Sequence, residues 1–174
     1  GLYLSVMEGT QPNTDYTRYW HGTAMFIRLG HLITDVEGVK LIGFIAFLLL
    51  VGLTIFILAR KRHWDLAVIL ALSLAAVQIW NIRLSMEYQP AFILAFVLVP
   101  LFLILERRDD KWLTILSVVS GTAVAFFDFL TTETVTILIP LALVIAVRTK
   151  ENRLGSLKKN LLLLLKCGIC WVLS

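Results

Sequence analysis

The chain has 174 residues, of which 59% are hydrophobic and only 16% are charged. Soluble domains carry about a quarter charged residues, and a soluble globule of this length has too little interior to hide so much apolar surface. The composition therefore excludes an ordinary soluble domain and indicates a membrane protein.

The first segment, residues 1–38, carries most of the polar side chains outside the turns. Asn13 and Thr14 are candidate N-caps for a helix that starts near Asp15. At about 100° per residue, one arc of this helix collects five polar residues, namely Arg18, His21, Arg28, His31 and Asp35. Its other side is apolar and aromatic, which predicts an amphipathic helix lying parallel to the membrane. Gly22 and Gly30 also permit two short helices.

Five apolar runs without a charged residue follow this segment. The first, Leu41–Ala59, is long enough to cross a hydrocarbon core, which requires about 20 helical residues. Four shorter runs must recruit flanking residues to span: Leu66–Ile82, Pro90–Leu105, Trp112–Phe127 and Thr134–Val147. A sixth run begins at Asn160. We therefore predict an all-α polytopic transmembrane bundle of five to six spans over residues 39–174, and we expect the chain to be a fragment truncated at both ends.

Lysine and arginine concentrate in alternate connections between these runs. Three connections hold eleven of them: residues 60–65, 106–111 and 148–159. The two intervening connections, 81–89 and 128–133, hold one. Because basic residues are retained on the cytoplasmic side, residues 1–38 and both intervening connections are predicted to lie outside. The net charge of +4 then follows from topology, and no nucleic-acid partner is expected.

The external segment offers chemistry suited to an anionic lipid head group. The guanidinium groups of Arg18 and Arg28 match phosphate oxygens bidentately, and His21 supplies a further donor. Asp15 lies three residues before Arg18, so it forms either a helical ion pair or a base that accepts a proton from an acceptor hydroxyl. Simple docking of the helix on the membrane is the alternative interpretation of the same residues.

The run Asp15-Tyr16-Thr17-Arg18-Tyr19-Trp20-His21-Gly22, together with the later Phe127-Asp128-Phe129-Leu130-Thr131, resembles a family of large bacterial polytopic membrane proteins. The layout is similar to that of GT-C glycosyltransferases, which take sugars from polyprenyl-phosphate carriers at the outer membrane face. The resemblance implies a catalytic acid in the first external loop, with Asp15 as the first candidate and Glu8 as the second. It implies that seven other residues bind substrate: Arg18, Tyr19, Trp20, His21, Arg28, Asp128 and Glu133.

Asp128 and Glu133 flank the short external connection before the fifth run. Acidic residues near a helix start stabilise that helix, and the functional alternative is that Asp128 approaches Asp15 or Glu8 and positions an acceptor or a divalent cation. The chain departs from the GT-C pattern because no span precedes its external loop and no paired Asp-Glu signature is present. The expected location is a bacterial plasma membrane.

Two other functions remain open at this point. A transporter or flippase of lipid-linked glycans would have the same helical architecture, but ion-coupled transporters generally need ionisable groups or broken helices near the midplane. The five runs contain no ionisable residue. A non-enzymatic scaffold that binds partner subunits through its helices is the third possibility.

Overall fold

The computed structural model describes residues 22–127 and 132–174, and both ranges are helical without any strand. The described elements are α1 (Gly22–His31), α2 (Val36–Arg60), α3 (Trp64–Ala76), a 3-10 helix (Ile79–Leu84), α4 (Tyr88–Leu105), α5 (Asp110–Phe127), α6 (Val135–Lys150) and α7 (Leu157–Val172). The predicted all-α class is confirmed. Helix α4 lies at the centre, where it packs on α2 and α6 and buries the rings of Phe96 and Phe102.

Three of the described helices are long and apolar enough to cross a membrane. These are α2, α4 and α5, with 25, 18 and 18 residues. Helices α3, α6 and α7 have 13, 16 and 16 residues, which is below the lower limit of about 17 residues for a span. The structure thus supports a helical membrane protein with three candidate spanning helices among the described residues, and the predicted total of five to six spans is not confirmed.

The run predicted as one span over Leu66–Ile82 is divided. Helix α3 ends at Ala76, and Gln78 adopts a left-handed backbone conformation with φ 52° and ψ 49°. A right-handed helix cannot continue through such a residue, so the chain resumes as the 3-10 helix. This break lies at the end of α3 that is remote from the basic turn.

Helix α1 ends earlier than the predicted interfacial helix. The chain turns after His31, and Asp35 becomes the N-cap of α2, where its carboxylate accepts a hydrogen bond from the Gly38 N–H at 2.8 Å. Satisfying this backbone donor favours the start of a new helix over continuation of the old one. Asp35 therefore does not belong to the same helix as Arg28 and His31, as the alternative of two short helices allowed, and the predicted amphipathic helix is not confirmed.

Helices α5 and α7 run in the same direction and pack through small residues. Cys167 of α7 is fully buried and lies within hydrogen-bonding reach of Ser117 on α5. Further along, the backbone of Trp171 lies against the bare α-carbon of Gly121. Small residues allow such close approach in membrane bundles. Cys167 and Cys170 are both free thiols.

Candidate functional site

Most of the predicted site residues lie outside the described ranges. These are Glu8, Asp15, Arg18, Tyr19, Trp20, His21 and Asp128. Arg28 and Glu133 are described. For the other seven, the structure describes only neighbouring parts of the chain. These include Gly22, which directly follows His21, and Phe127, which directly precedes Asp128.

The start of α1 is held against the end of α5. The Thr23 hydroxyl donates a hydrogen bond to the backbone oxygen of Phe127 at 2.9 Å. The rings of Phe26 and Phe127 pack with their centroids 5.6 Å apart. Gly22 is buried, and a side chain there would collide with Phe126. Because Gly22 follows His21 and Phe127 precedes Asp128, these contacts join the chain neighbours of two predicted site residues.

The two described site residues lie in different surroundings. Arg28 is exposed on α1. Glu133 is partly buried just before α6, and its backbone oxygen accepts hydrogen bonds from Thr136 N–H at 3.1 Å and from the Thr136 hydroxyl at 2.7 Å. One carboxylate oxygen of Glu133 is buried and has no hydrogen-bond partner among the described residues. A buried polar atom in this state is costly unless a ligand or water satisfies it.

An apolar groove of about 430 Å³ lies beside α1. Helices α1, α2 and α4 and the end of α5 form its walls, with Phe26, Ile42, Ile93, Leu94, Val97 and Phe127 among the lining residues. Thr23 and Gln89 contribute its polar atoms. The Gln89 side chain is buried and donates to the backbone oxygen of Lys40 at 3.0 Å, which the absence of a side chain at Gly43 makes possible.

Sequence reasoning missed this groove. Its walls are ordinary aliphatic and aromatic residues of membrane spans, and such residues have the same pattern whether they face lipid, another helix or a cavity. The one available signal was Gln89, an amide at the start of an otherwise apolar run, which requires a partner when it is buried.

The opposite end of the bundle is closed by a buried ionic cluster. Glu106, directly after α4, is fully buried, and its carboxylate lies 2.7 Å from Lys61 Nζ and 2.5 Å from Arg153 Nη2. Arg148 donates two hydrogen bonds to the Glu106 backbone oxygen and one to Asp110. These residues belong to all three basic connections, which therefore meet at one end as the charge count predicted. The side of the membrane that this end faces stays a prediction.

Glu151 gives the ionic cluster a dependence on pH. Burial alone would raise the pKa of its carboxyl group, but hydrogen bonds from Arg107, His63 and Arg153 outweigh burial and lower the pKa from 4.5 to about 2. The folded state therefore favours the ionised form. Its stabilising contribution is complete above pH 4.5 and disappears as the pH falls towards 2.

We expect the Glu151→Gln variant to lose less stability than the wild type between pH 4.5 and about pH 2, because the titrating group is gone. At neutral pH the variant should be the less stable of the two. Thermal unfolding in detergent, followed across this range, measures both effects. Glu37→Gln, at an exposed pair with Lys40 on α2, is the control and should keep the wild-type dependence. Parallel curves for Glu151→Gln and wild type would contradict the assignment.

No three His, Cys, Asp or Glu side chains come together as a metal site within residues 22–127 and 132–174. The divalent cation predicted near Asp128 would involve residues beyond these ranges, so that prediction stands untested. The chain matches no protein-family model, no curated protein and no solved structure. Fold and site together define a helical membrane protein with an apolar groove at one end and an ionic cluster at the other.

Proposed function

We propose that this chain is part of a membrane-embedded glycosyltransferase of GT-C-like layout, which uses a polyprenyl-phosphate-linked sugar at the face where α1 lies. The observation that carries the proposal is the apolar groove beside α1. A lipid-linked sugar needs an apolar surface for its chain and polar groups for its phosphate and sugar. The groove meets the first requirement, and the predicted site residues meet the second.

The position of the groove supports the assignment of the lipid chain to the groove and of the phosphate and sugar to the predicted site residues. Thr23 and Phe127 line the groove, and they lie within two residues of His21 and Asp128 in the chain. A lipid chain in the groove would thus contact Thr23 and Phe127, which are close neighbours in the sequence of the two segments that carry most of the candidate residues. Asp15 is the proposed base for the acceptor hydroxyl, with Arg18 and Arg28 as phosphate ligands.

The state of the Glu133 side chain favours the groove end of the bundle as the place where the reaction occurs. Its buried carboxylate oxygen lacks a hydrogen-bond partner among the described residues, and an acceptor hydroxyl would satisfy it. The basic end differs in this respect, because the carboxylates of Glu106 and Glu151 already accept several hydrogen bonds from cationic side chains. A substrate hydroxyl can therefore donate a hydrogen bond to the buried oxygen of Glu133 without displacing a cationic side chain.

Transfer from polyprenyl-phosphate-linked hexoses, in membranes that contain the protein, tests the proposal. Asp15→Asn should lower kcat by about a hundred- to ten-thousand-fold, the usual contribution of a positioned general base. Asp109→Asn, at an exposed carboxylate beside Lys111 at the basic end, is the matched control and should leave transfer unchanged. Full activity of Asp15→Asn would remove this residue from the mechanism.

The same assay examines the groove with two tryptophan variants on α4. Val97 lines the groove and Leu101 does not, although both side chains are 41% exposed. Val97→Trp should raise KM several-fold for a long-chain donor and leave a short-chain donor unaffected, because the indole fills space that the chain needs. Leu101→Trp should behave as wild type with both donors. Equal effects of the two variants would show that the groove does not hold the lipid chain.

A transporter or flippase of lipid-linked glycans is the main alternative. Vesicles reconstituted with the protein distinguish the two functions: a flippase moves a labelled lipid-linked glycan across the bilayer without changing it, whereas the proposed enzyme releases polyprenyl phosphate. Movement without release would overturn the proposal. Indifference to all of these substitutions, with a stoichiometric partner present after purification, would instead favour a scaffold.

A further inference from the structure

A second cleft, of about 470 Å³, lies between the two connections that the sequence predicts to be external. The connection between α3 and α4 supplies the amides of Gln78 and Asn81 and the hydroxyl of Ser85, and Thr132 comes from the connection before α6. Tyr88 and Phe92, on the first turns of α4, add two aromatic rings. No function described above uses this cleft.

Helix α4 separates the cleft from the apolar groove. Ser85, Tyr88 and Phe92 recur at intervals of three and four residues and therefore share one face of the chain around the helix start. Gln89 and Ile93 lie on the neighbouring face and line the groove. The two cavities thus flank the same end of α4. Apolar atoms dominate the lining of both, and the amides of Gln78 and Asn81 with the Ser85 hydroxyl form a small polar rim on the cleft.

The polar rim retains hydrogen-bonding capacity. The Asn81 amide nitrogen donates to Gln78 Oε1 at 3.1 Å, and Ser85 Oγ accepts from the Tyr88 N–H at 3.1 Å. Among the described residues, these two bonds leave the Gln78 amide nitrogen, the Asn81 amide oxygen and the Ser85 proton for other partners. The cleft therefore offers both donors and acceptors, and both amides are exposed. A ligand that both donates and accepts at several neighbouring positions would match them.

The backbone of Gln78 positions the amides. Its left-handed conformation, with φ 52°, is an ordinary helix ending, and Arg62 and Asn152 adopt the same conformation two residues after the ends of α2 and α6. The amide pair with Asn81 accompanies this turn. This break ends α3 early and turns the peptide segment so that both amides line one cleft.

We infer that this cleft binds the neutral sugar ring of a glycan substrate, an inference that rests on the proposed glycosyltransferase function. Sugar hydroxyls donate and accept hydrogen bonds as the two amides and Ser85 require, and the flat rings of Tyr88 and Phe92 offer apolar surface to the C–H face of a pyranose. All described lining residues are uncharged, which disfavours a phosphate or an ionised head group.

Saturation-transfer NMR on the full chain in lipid nanodiscs tests the inference, with glucose, galactose, mannose and N-acetylglucosamine as separate probes. At least one of these sugars should give a saturation-transfer signal. Asn81→Ala should weaken the binding of that sugar about tenfold, the usual effect of losing one or two hydrogen bonds. Asn160→Ala, an amide beside the basic end that donates to Gly155, is the matched control and should bind as wild type.

Tyr88→Leu is the second variant, because it removes the ring and leaves the amide pair in place. It should weaken binding of the same sugar while the helical circular dichroism stays unchanged. If none of the four sugars gives a saturation-transfer signal, the inference is overturned. Equal sugar binding by wild type and both cleft variants would also overturn it. Sugar binding that survives both cleft variants and disappears in Glu133→Gln would place the sugar elsewhere.

The proposed function and this inference can fail separately. If Asp15→Asn abolishes transfer while Asn81→Ala leaves KM and sugar binding unchanged, the enzyme assignment stands and the cleft assignment is wrong. If the cleft variants lose sugar binding while the protein transfers nothing, the cleft binds sugar in a protein that is not a transferase, and the reaction assignment is wrong.

Discussion

Replacing Glu106 with alanine should lower the free energy of unfolding by about 3–5 kcal/mol, the usual cost of removing one partner from a buried ion pair. The Glu106 side chain has no exposed surface, and the cations of Lys61 and Arg153 lie within 2.7 Å of its carboxylate oxygens. Without the carboxylate, Lys61 stays largely buried with only the Leu103 backbone oxygen as a partner, and Arg153 keeps only Glu151. Reversible unfolding in mixed detergent micelles, followed by tryptophan fluorescence, measures the change.

Two further variants separate charge from shape at this position. Glu106→Gln keeps the size and one hydrogen-bond acceptor and should cost less than the alanine variant. Asp109→Ala removes a carboxylate that is 76% exposed beside Lys111, and an exposed pair contributes about 0–1 kcal/mol. If Glu106→Ala and Asp109→Ala have equal effects, Glu106 does not hold the three basic connections together.

Replacing Gly121 with leucine should separate α7 from α5. A side chain at Gly121 would collide with the backbone oxygen of Trp171 and the hydroxyl of Ser174. Backbone atoms cannot rotate away as a flexible side chain can, so the whole helix must move. Overpacking of this kind costs about 1–3 kcal/mol or more. Disulfide formation between the native Cys167 and a cysteine introduced at Ser117, which lie within hydrogen-bonding reach of each other, reports whether the helices remain together.

Gly168→Leu is the matched control for this change. Gly168 lies on α7 itself, and nothing stands within 4 Å of a side chain built there. Leucine also has a higher helix propensity than glycine by up to about 1 kcal/mol, so this variant should be as stable as wild type or slightly more stable. Efficient cross-linking in both glycine variants would show that α5 and α7 do not depend on close approach at Gly121.

The predicted apolar runs became helices because each helix satisfies its own backbone groups. A run such as Leu41–Ala59 needs no information from the rest of the chain, and α2 covers it completely. The run Leu66–Ile82 was predicted as one span, but the structure divides it into α3 and the 3-10 helix. Its composition is uniformly apolar, and nothing local to it predicts the left-handed Gln78 that ends α3.

For the charged residues, too, the sequence predicted the general arrangement and the tertiary structure decided the details. The excess of lysine and arginine in three connections predicted that they share one side, and contacts around Glu106 confirm that they meet. The sequence could not single out Glu106 from the other acidic residues of these connections. Its burial depends on Lys61 and Arg153, which lie 45 and 47 positions away along the chain.

The sequence led to a candidate site made mainly of ionisable residues, and their roles stay predictions. Asp15, Arg18 and Glu133 attract notice because most of the chain is uncharged, whereas Gln89, Val97 and Tyr88 are inconspicuous. The sequence left the position of Asp35 open because capping α2 and extending α1 are both local options. Their competition is decided by the turn at residues 32–34, where α1 folds back beside α2.

The sequence by itself determined that this is a helical membrane protein with its basic connections on one side, because hydrophobicity and charge act through the residues of each segment and the solvent around it. Only the tertiary structure decided where α3 ends, which carboxylate is buried, and that a groove and a cleft flank the start of α4. Those features arise from contacts between segments distant in the chain, and the free energy of such contacts depends on geometry that composition does not specify.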